Sequence, residues 1–196
     1  PIVPMTDDRV RTIVHTDSGA LDFQDYFVRD QCRPRVTRFE FVGIHSASPT
    51  SAFRAALDES PRVVICPSNP FVSVDPILGL EGVEEALRQA EVPVVAVSPI
   101  VGGEALKGPA AKMMRELDLP STALEVARHY KERDLLDGFV LDTIDADQAP
   151  EVEGLGLQVK VTNTVMIDLN DRIRLAKETL ALAEEVFAFY LGAKES

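Results

Sequence analysis

The chain has 196 residues, 45% hydrophobic and 27% charged, an ordinary globular composition long enough for one domain with a real core. Its 32 Asp and Glu against 20 Lys and Arg leave a net charge of −12, which repels phosphate backbones and anionic lipid and argues against nucleic-acid or membrane-surface binding. No apolar run reaches the ~18 residues of a membrane span, and Cys32 and Cys66 lie far apart without a CxxC, so a reducing, cytoplasmic setting is expected rather than a disulfide framework or a zinc site.

The chain opens Pro1-Ile2-Val3-Pro4 and soon reaches the strand-like Arg11-Thr12-Ile13-Val14, which reads as mid-domain; a piece upstream of Pro1 is expected. Arg11–His15, Leu21–Val28 and Thr37–Val42 have β character and predict a small antiparallel unit. Ala52–Leu57 reads as helix, starting near Ser48-Pro49-Thr50. Arg62–Cys66 and Pro93–Val97 are short continuous apolar runs, as expected of strands buried on both faces of a parallel sheet. Between them, Glu81–Ala90 places Val83, Ala86, Leu87 and Ala90 on one helical face. Residues 109–130 read as two helices around Pro120, with Ser121 starting the second. This segment is longer than a βα connection needs, so a helical insertion covering a ligand cleft is expected. Gly138–Leu141 and Leu157–Val161 are further strands, with a short helix over Ala146–Glu153 between them. A C-terminal helix from about Asp171 to Leu191, capped by Asn170, carries Ile173, Ala176, Leu180, Ala183, Phe187 and Tyr190 on one face. That face is expected to dock on the sheet. The alternation predicts an α/β fold: a Rossmann-like, mainly parallel sheet flanked by helices.

Ligands of open parallel sheets sit at the carboxyl ends of the strands. Two unusual loops fall there. Residues 66–76 hold three prolines, which stiffen the backbone, and present Ser68, Asn69 and Ser73 as donors. The second loop, 98–109, opens with Ser98, carries Gly102-Gly103 for close backbone approach, and offers Lys107 as a cation. Together they could cradle an anion or phosphate; as Pro and Gly clusters they could equally be plain turns. Neither matches a P-loop or GxGxxG. The loops' only acids are Asp75 and Glu104, the latter expected to begin a helix. His15, His45 and His129 are scattered without metal spacing. Cys66 reads as a buried, inert thiol ending a strand. Asp142, Asp145 and Asp147 cluster after the third buried strand, where a helix cap and solvated acids explain them better than a metal does. Met113-Met114 reads as core.

Pro67-Ser68-Asn69-Pro70-Phe71-Val72-Ser73-Val74-Asp75-Pro76-Ile77-Leu78 resembles a signature of the CofD family, the 2-phospho-L-lactate transferases of coenzyme F-420 biosynthesis, with FbiA-like enzymes among them. Ser98-Pro99-Ile100-Val101-Gly102-Gly103, then Leu106-Lys107-Gly108-Pro109-Ala110-Ala111-Lys112-Met113-Met114, is similar to its second signature. Gln24–Arg29 and Thr162–Met166 match as well, so the resemblance spans nearly the whole chain.

The resemblance implies a CofD-like α/β domain of which residues 1–196 are the C-terminal two-thirds. It implies transfer of a phospholactyl or phosphoenolpyruvyl group from a GDP-activated donor to the ribityl hydroxyl of the deazaflavin FO, releasing GMP. Mg²⁺ is the implied cofactor, with its acidic ligands upstream of Pro1 and none in this chain. Lys107 is assigned the role of offsetting charge, and Ser68, Asn69, Ser73, Ser98, Gly102 and Gly103 that of holding substrate. Small-molecule substrates and a possible homodimer are implied, with neither nucleic acid nor membrane. The family also holds YvcK-like proteins that bind nucleotide sugars and regulate without catalysis; they are the alternative.

Overall fold

In the computed structural model, which describes residues 2–194, the chain begins with an antiparallel sheet. β1 (Arg11–Thr16) pairs with β2 (Gly19–Asp22) on one side and β3 (Val36–Val42) on the other. The strand expected over Leu21–Val28 stops at Asp22 and gives way to a wide helical turn, Asp25–Arg29. The aromatics there are spaced for a helix: Phe23 and Phe27, four apart, stack at 5.5 Å, while Tyr26 is buried. The Tyr26 hydroxyl donates to the Cys32 carbonyl at 3.3 Å.

α1 (Ser51–Glu59) starts at Thr50, whose hydroxyl accepts the Phe53 N–H at 3.1 Å. β4 (Val63–Ile65) follows. It is only half-buried because it is the edge strand of the parallel sheet, so Cys66 at its end is exposed rather than buried. A helical turn, Pro70–Val74, then leads into α2 (Asp75–Leu78) and α3 (Val83–Gln89). Asp75 therefore lies in a helix. Its carboxylate meets His129 at 2.8 Å and Arg133 at 3.2 Å.

β5 (Val94–Val97) is wholly buried. The loop behind it folds into a hairpin, β6 (Ile100–Val101) and β7 (Glu104–Ala105). Glu104 thus begins a strand rather than a helix, and pairs with Arg115 at 3.1 Å. Gly102 and Gly103, with φ of +58° and +80°, supply the positive φ that a two-residue type I′ turn requires.

α4 (Ala110–Glu116) and α5 (Ala123–Lys131) precede β8 (Gly138–Asp142), α6 (Ala149–Glu153) and β9 (Gln158–Thr162). The cap of α5 is Thr122, accepting from Glu125 N–H at 3.1 Å. Ser121 instead donates to the Gly103 carbonyl at 2.8 Å and ties α5 to the hairpin. The central sheet is all parallel, in the order β4-β5-β8-β9.

Alternate residues of β5 feed opposite layers. Val94 and Ala96 join the larger core with Met113, Met114, Val126, Tyr130 and Phe139, which places α4 and α5 on that face. Val95 and Val97 join Val140 under α7 (Leu169–Lys194). The residues of α7 that dock are Leu175, Thr179, Leu182, Ala183 and Val186. Of the expected stripe, Ile173, Leu180 and Phe187 are 45, 40 and 41% exposed. The helix is apolar around much of its girth, and Gly138 selects the face: a Cβ there would lie 3.3 Å from both Leu182 and Val186. Asn170 falls inside α7; the cap is Asp168, which accepts from Asp171 N–H at 3.0 Å. Among the described residues no helix is long and apolar enough to cross a membrane.

Candidate functional site

A cleft of about 810 Å³ opens at the carboxyl ends of the parallel strands. The loop after β4 gives one wall with Pro67, Ser68, Asn69, Val72 and Ser73. The loop after β5 gives a second, with Ser98, Pro99, Val101 and Leu106–Ala110. Thr164, Val165 and Met166 after β9, with Arg172 of α7, give a third; Phe23 and Phe27 also face in.

Five of the seven expected site residues meet here: Ser68, Asn69, Ser73, Ser98 and Lys107. Two of the five spend their polar atoms on the loops. Asn69 Oδ1 accepts the N–H groups of Phe71 at 3.0 Å and Val72 at 3.4 Å, while its Nδ2 donates to Met113 Sδ at 3.1 Å. The buried Ser98 hydroxyl donates to the Ile100 carbonyl at 2.9 Å and accepts that residue's N–H at 3.1 Å. Ser68 and Ser73 have no side-chain hydrogen bond among the described residues. Gly102 and Gly103 do not line the cleft. The Gly102 N–H donates instead to Asp145 Oδ2 at 2.9 Å.

Asp142, which ends β8, and Asp145, just after it, hold the segment at Thr164 and the hairpin at Gly102. Asp142 Oδ2 accepts Thr164 N–H at 2.6 Å and Thr164 Oγ1 at 3.0 Å, and its Oδ1 accepts Ile144 N–H at 3.0 Å. Burial pushes the Asp142 pKa up, but these donors outweigh it and hold the carboxyl below its ordinary value. Asp145 moves the other way. Burial raises its pKa, and the Asp142 and Asp147 charges add to that against the opposing Gly102 N–H.

Among the described residues no Asp or Glu lines the cleft, although the chain carries 32 of them. Lys107 and Arg172 do line it, and neither side chain has a hydrogen bond or ion pair among the described residues. Lys112, one turn into α4, shows the contrast: it is spent on Glu116 at 2.6 Å and the Pro34 carbonyl at 3.1 Å. The result is a local positive hollow in an acidic molecule, with two serine hydroxyls and a stacked aromatic pair. Among the described residues the cleft lining offers a divalent cation no carboxylate, and the nearby Asp142 and Asp145 are engaged by N–H donors.

Reasoning from sequence missed Arg172, Phe23 and Phe27. The aromatic pair was visible as an i,i+4 spacing inside a segment read as strand. Arg172 was visible only as a cation on the first turn of a helix whose apolar face alone was considered.

A cleft at the carboxyl ends of a parallel α/β sheet is where such sheets hold their ligands, and here it presents two unpaired cations. The chain belongs to the CofD family, matching the description "2-phospho-L-lactate transferase CofD" over residues 1–183. It is 40% identical over 191 residues to a phosphoenolpyruvate transferase of Streptomyces griseus, covering 95% of this chain and 60% of that protein. It is 40% identical over 181 residues to a 2-phospho-L-lactate transferase of Methanococcoides burtonii, covering 92% of this chain and 58% of that one. The chain thus spans about three-fifths of the length of these relatives. The fold is shared with a UPF0052-family protein of Bacillus halodurans at a TM-score of 0.58 and 14% identity, over 85% of this chain and 56% of that one.

Proposed function

We propose that this chain carries the substrate cleft of a transferase that moves a phospholactyl or phosphoenolpyruvyl group from a GDP-activated donor to the deazaflavin FO. The ribityl hydroxyl oxygen attacks the phosphorus that carries the three-carbon acid through its C2 oxygen. The bond from that phosphorus to the GMP oxygen breaks, a phosphodiester forms, and GMP leaves with its electron pair while the hydroxyl proton is released. The observation that carries this reading is the acid-free cleft with an unpaired lysine in a chain of net charge −12. Phosphoryl transfer depends on positioning and on offsetting negative charge, and the cleft is suited to both. Lys107 meets the phosphate oxygens, and the Ser68 and Ser73 hydroxyls hydrogen-bond phosphate or ribityl oxygens. Phe23 and Phe27 offer a flat apolar face to the deazaflavin ring. A magnesium ion would supply further charge neutralisation to the donor phosphates, and the described residues of the cleft offer it no carboxylate.

The test is calorimetric titration of the chain with GDP, FO and UDP-sugars. Binding of GDP and FO, with GDP weakened by Lys107→Ala, is the expected result. Preference for a UDP-sugar with indifference to FO would replace this reading with a nucleotide-sugar-binding regulator.

A further inference from the structure

Arg172 lines two cavities at once. One is the cleft. The other is a recess of about 290 Å³ between the edge strand β4 and α7, which shares Pro67, Met166 and Arg172 with the cleft. Its remaining walls are mostly aliphatic, with Val64, Val97, Leu175 and Leu180. Thr179 also lines it, but its hydroxyl is spent inside the helix on the Leu175 carbonyl at 2.8 Å.

Arg172 is also the arginine left free on the first turns of α7. Arg174, two residues on, donates to the Asn163 carbonyl at 2.7 Å and lies 3.6 Å from both Asp171 and Glu178. Arg172 is carried by a helix fixed through Leu175, Thr179 and Leu182, so its guanidinium projects from a rigid support.

Resting on the transferase reading above, we infer that Arg172 and this recess recognise the three-carbon acid of the donor. The guanidinium holds the carboxylate, and the recess takes the apolar C3. A guanidinium presents a planar fork that matches a carboxylate through two parallel N–H bonds, whereas the Lys107 ammonium is a point charge suited to phosphate oxygens. C3 is a methyl in the lactyl unit and a methylene in the enolpyruvyl unit. An aliphatic recess separates two such groups poorly, because neither leaves a polar partner unpaired. The site therefore selects for a carboxylate beside the phosphorus while accepting either oxidation level at C2 and C3.

The experiment is an NMR titration of the 196-residue chain with phosphoenolpyruvate, 2-phospho-L-lactate, ethyl phosphate and GDP. It is repeated on Arg172→Gln and Arg172→Lys, with thermal melts to verify folding. Phosphoenolpyruvate and phospholactate should bind within about threefold of each other, and ethyl phosphate about tenfold or more weaker. Arg172→Gln should erase that gap while changing GDP affinity less than about threefold, and Arg172→Lys should restore part of it. A gap that survives Arg172→Gln, or ethyl phosphate binding as tightly as phosphoenolpyruvate, overturns this inference and leaves the transferase reading standing. Failure of GDP and all three phosphates to bind the wild-type chain overturns both.

Discussion

The loops after β4 and β5 and the loop after β8 leave the same edge of one sheet, yet their charged groups are used in opposite ways. Asp142, which ends β8, and Asp145, just after it, turn inward and accept N–H donors from Thr164 and Gly102. Lys107, after β5, and Arg172 on α7 meet no protein partner among the described residues and face the cleft. A carboxylate that collects backbone donors stiffens the loops it joins. A cation without a partner keeps its charge available to a ligand. On the proposed transferase reading the acids make the frame and the cations meet the ligand, and variants should divide along that line.

The largest effect is expected at Asp142. Asp142→Ala leaves the Thr164 N–H and hydroxyl without their acceptor in a place where Thr164 is 4% exposed. The loss should be about 3 kcal/mol in urea denaturation, lowering Tm by about 6–10 °C. Lys107→Ala should reverse the pattern. Stability should stay within about 0.5 kcal/mol of wild type, because an exposed, unpaired lysine contributes little. Affinity for GDP should fall about tenfold, an effect that shrinks as salt is raised. If Lys107→Ala destabilised the fold as much as Asp142→Ala does, the division between frame and function would be lost.

The parallel sheet was readable because Val63–Ile65, Val94–Val97 and Phe139–Leu141 are continuous apolar runs with no rival periodicity. The two loops were readable because Pro67, Pro70 and Pro76, and Gly102-Gly103, concentrate rare backbone requirements. What escaped depends on partners distant in sequence. The pairing of Asp142 with Thr164 spans 22 residues, and that of Gly102 with Asp145 spans 43. Nothing local tells a capping acid from a metal ligand, or a turn glycine from one that faces a ligand. Part of the docking face of α7 escaped for another reason: Ala183 and Tyr190 pack as expected, but Leu175, Leu182 and Val186 form a stripe as apolar as Ile173, Leu180 and Phe187. The sheet surface decides between them, with Gly138 leaving room for Leu182 and Val186 beside Val95, Val97 and Val140.

A smaller effect sharpens the distinction at the hairpin. Gly102 serves the frame, since its N–H goes to Asp145 and it does not line the cleft. Gly102→Ala forces an L-residue to φ +58° with its Cβ 3.2 Å from Ile144 Cγ2. The expected cost is about 1 kcal/mol, measured by urea denaturation, with GDP affinity changed less than about twofold. A large loss of GDP affinity with stability intact would move Gly102 from the frame to the site.

The smallest effect is a slope rather than a step, and it separates the two framing acids from each other. Asp142 has a lowered pKa in the folded chain, so the unfolded chain takes up its proton first as pH falls. Its contribution is therefore present above the ordinary carboxylate value of about 3.9 and is lost below it. Asp145 has a raised pKa, so the folded chain holds the proton longer as pH rises. Its contribution is greatest below the ordinary carboxylate value and declines as pH climbs through the raised folded one. Asp145→Asn removes that decline while leaving an oxygen able to accept the Gly102 N–H. The variant should thus gain stability relative to wild type as pH moves from about 4 toward neutrality. Urea titrations of the two proteins across that range give the difference directly, free of the other acids, which both chains share. A difference that shrinks with rising pH would mean that the Gly102 and Gln148 donors outweigh burial and neighbouring charge, making Asp145 a second Asp142.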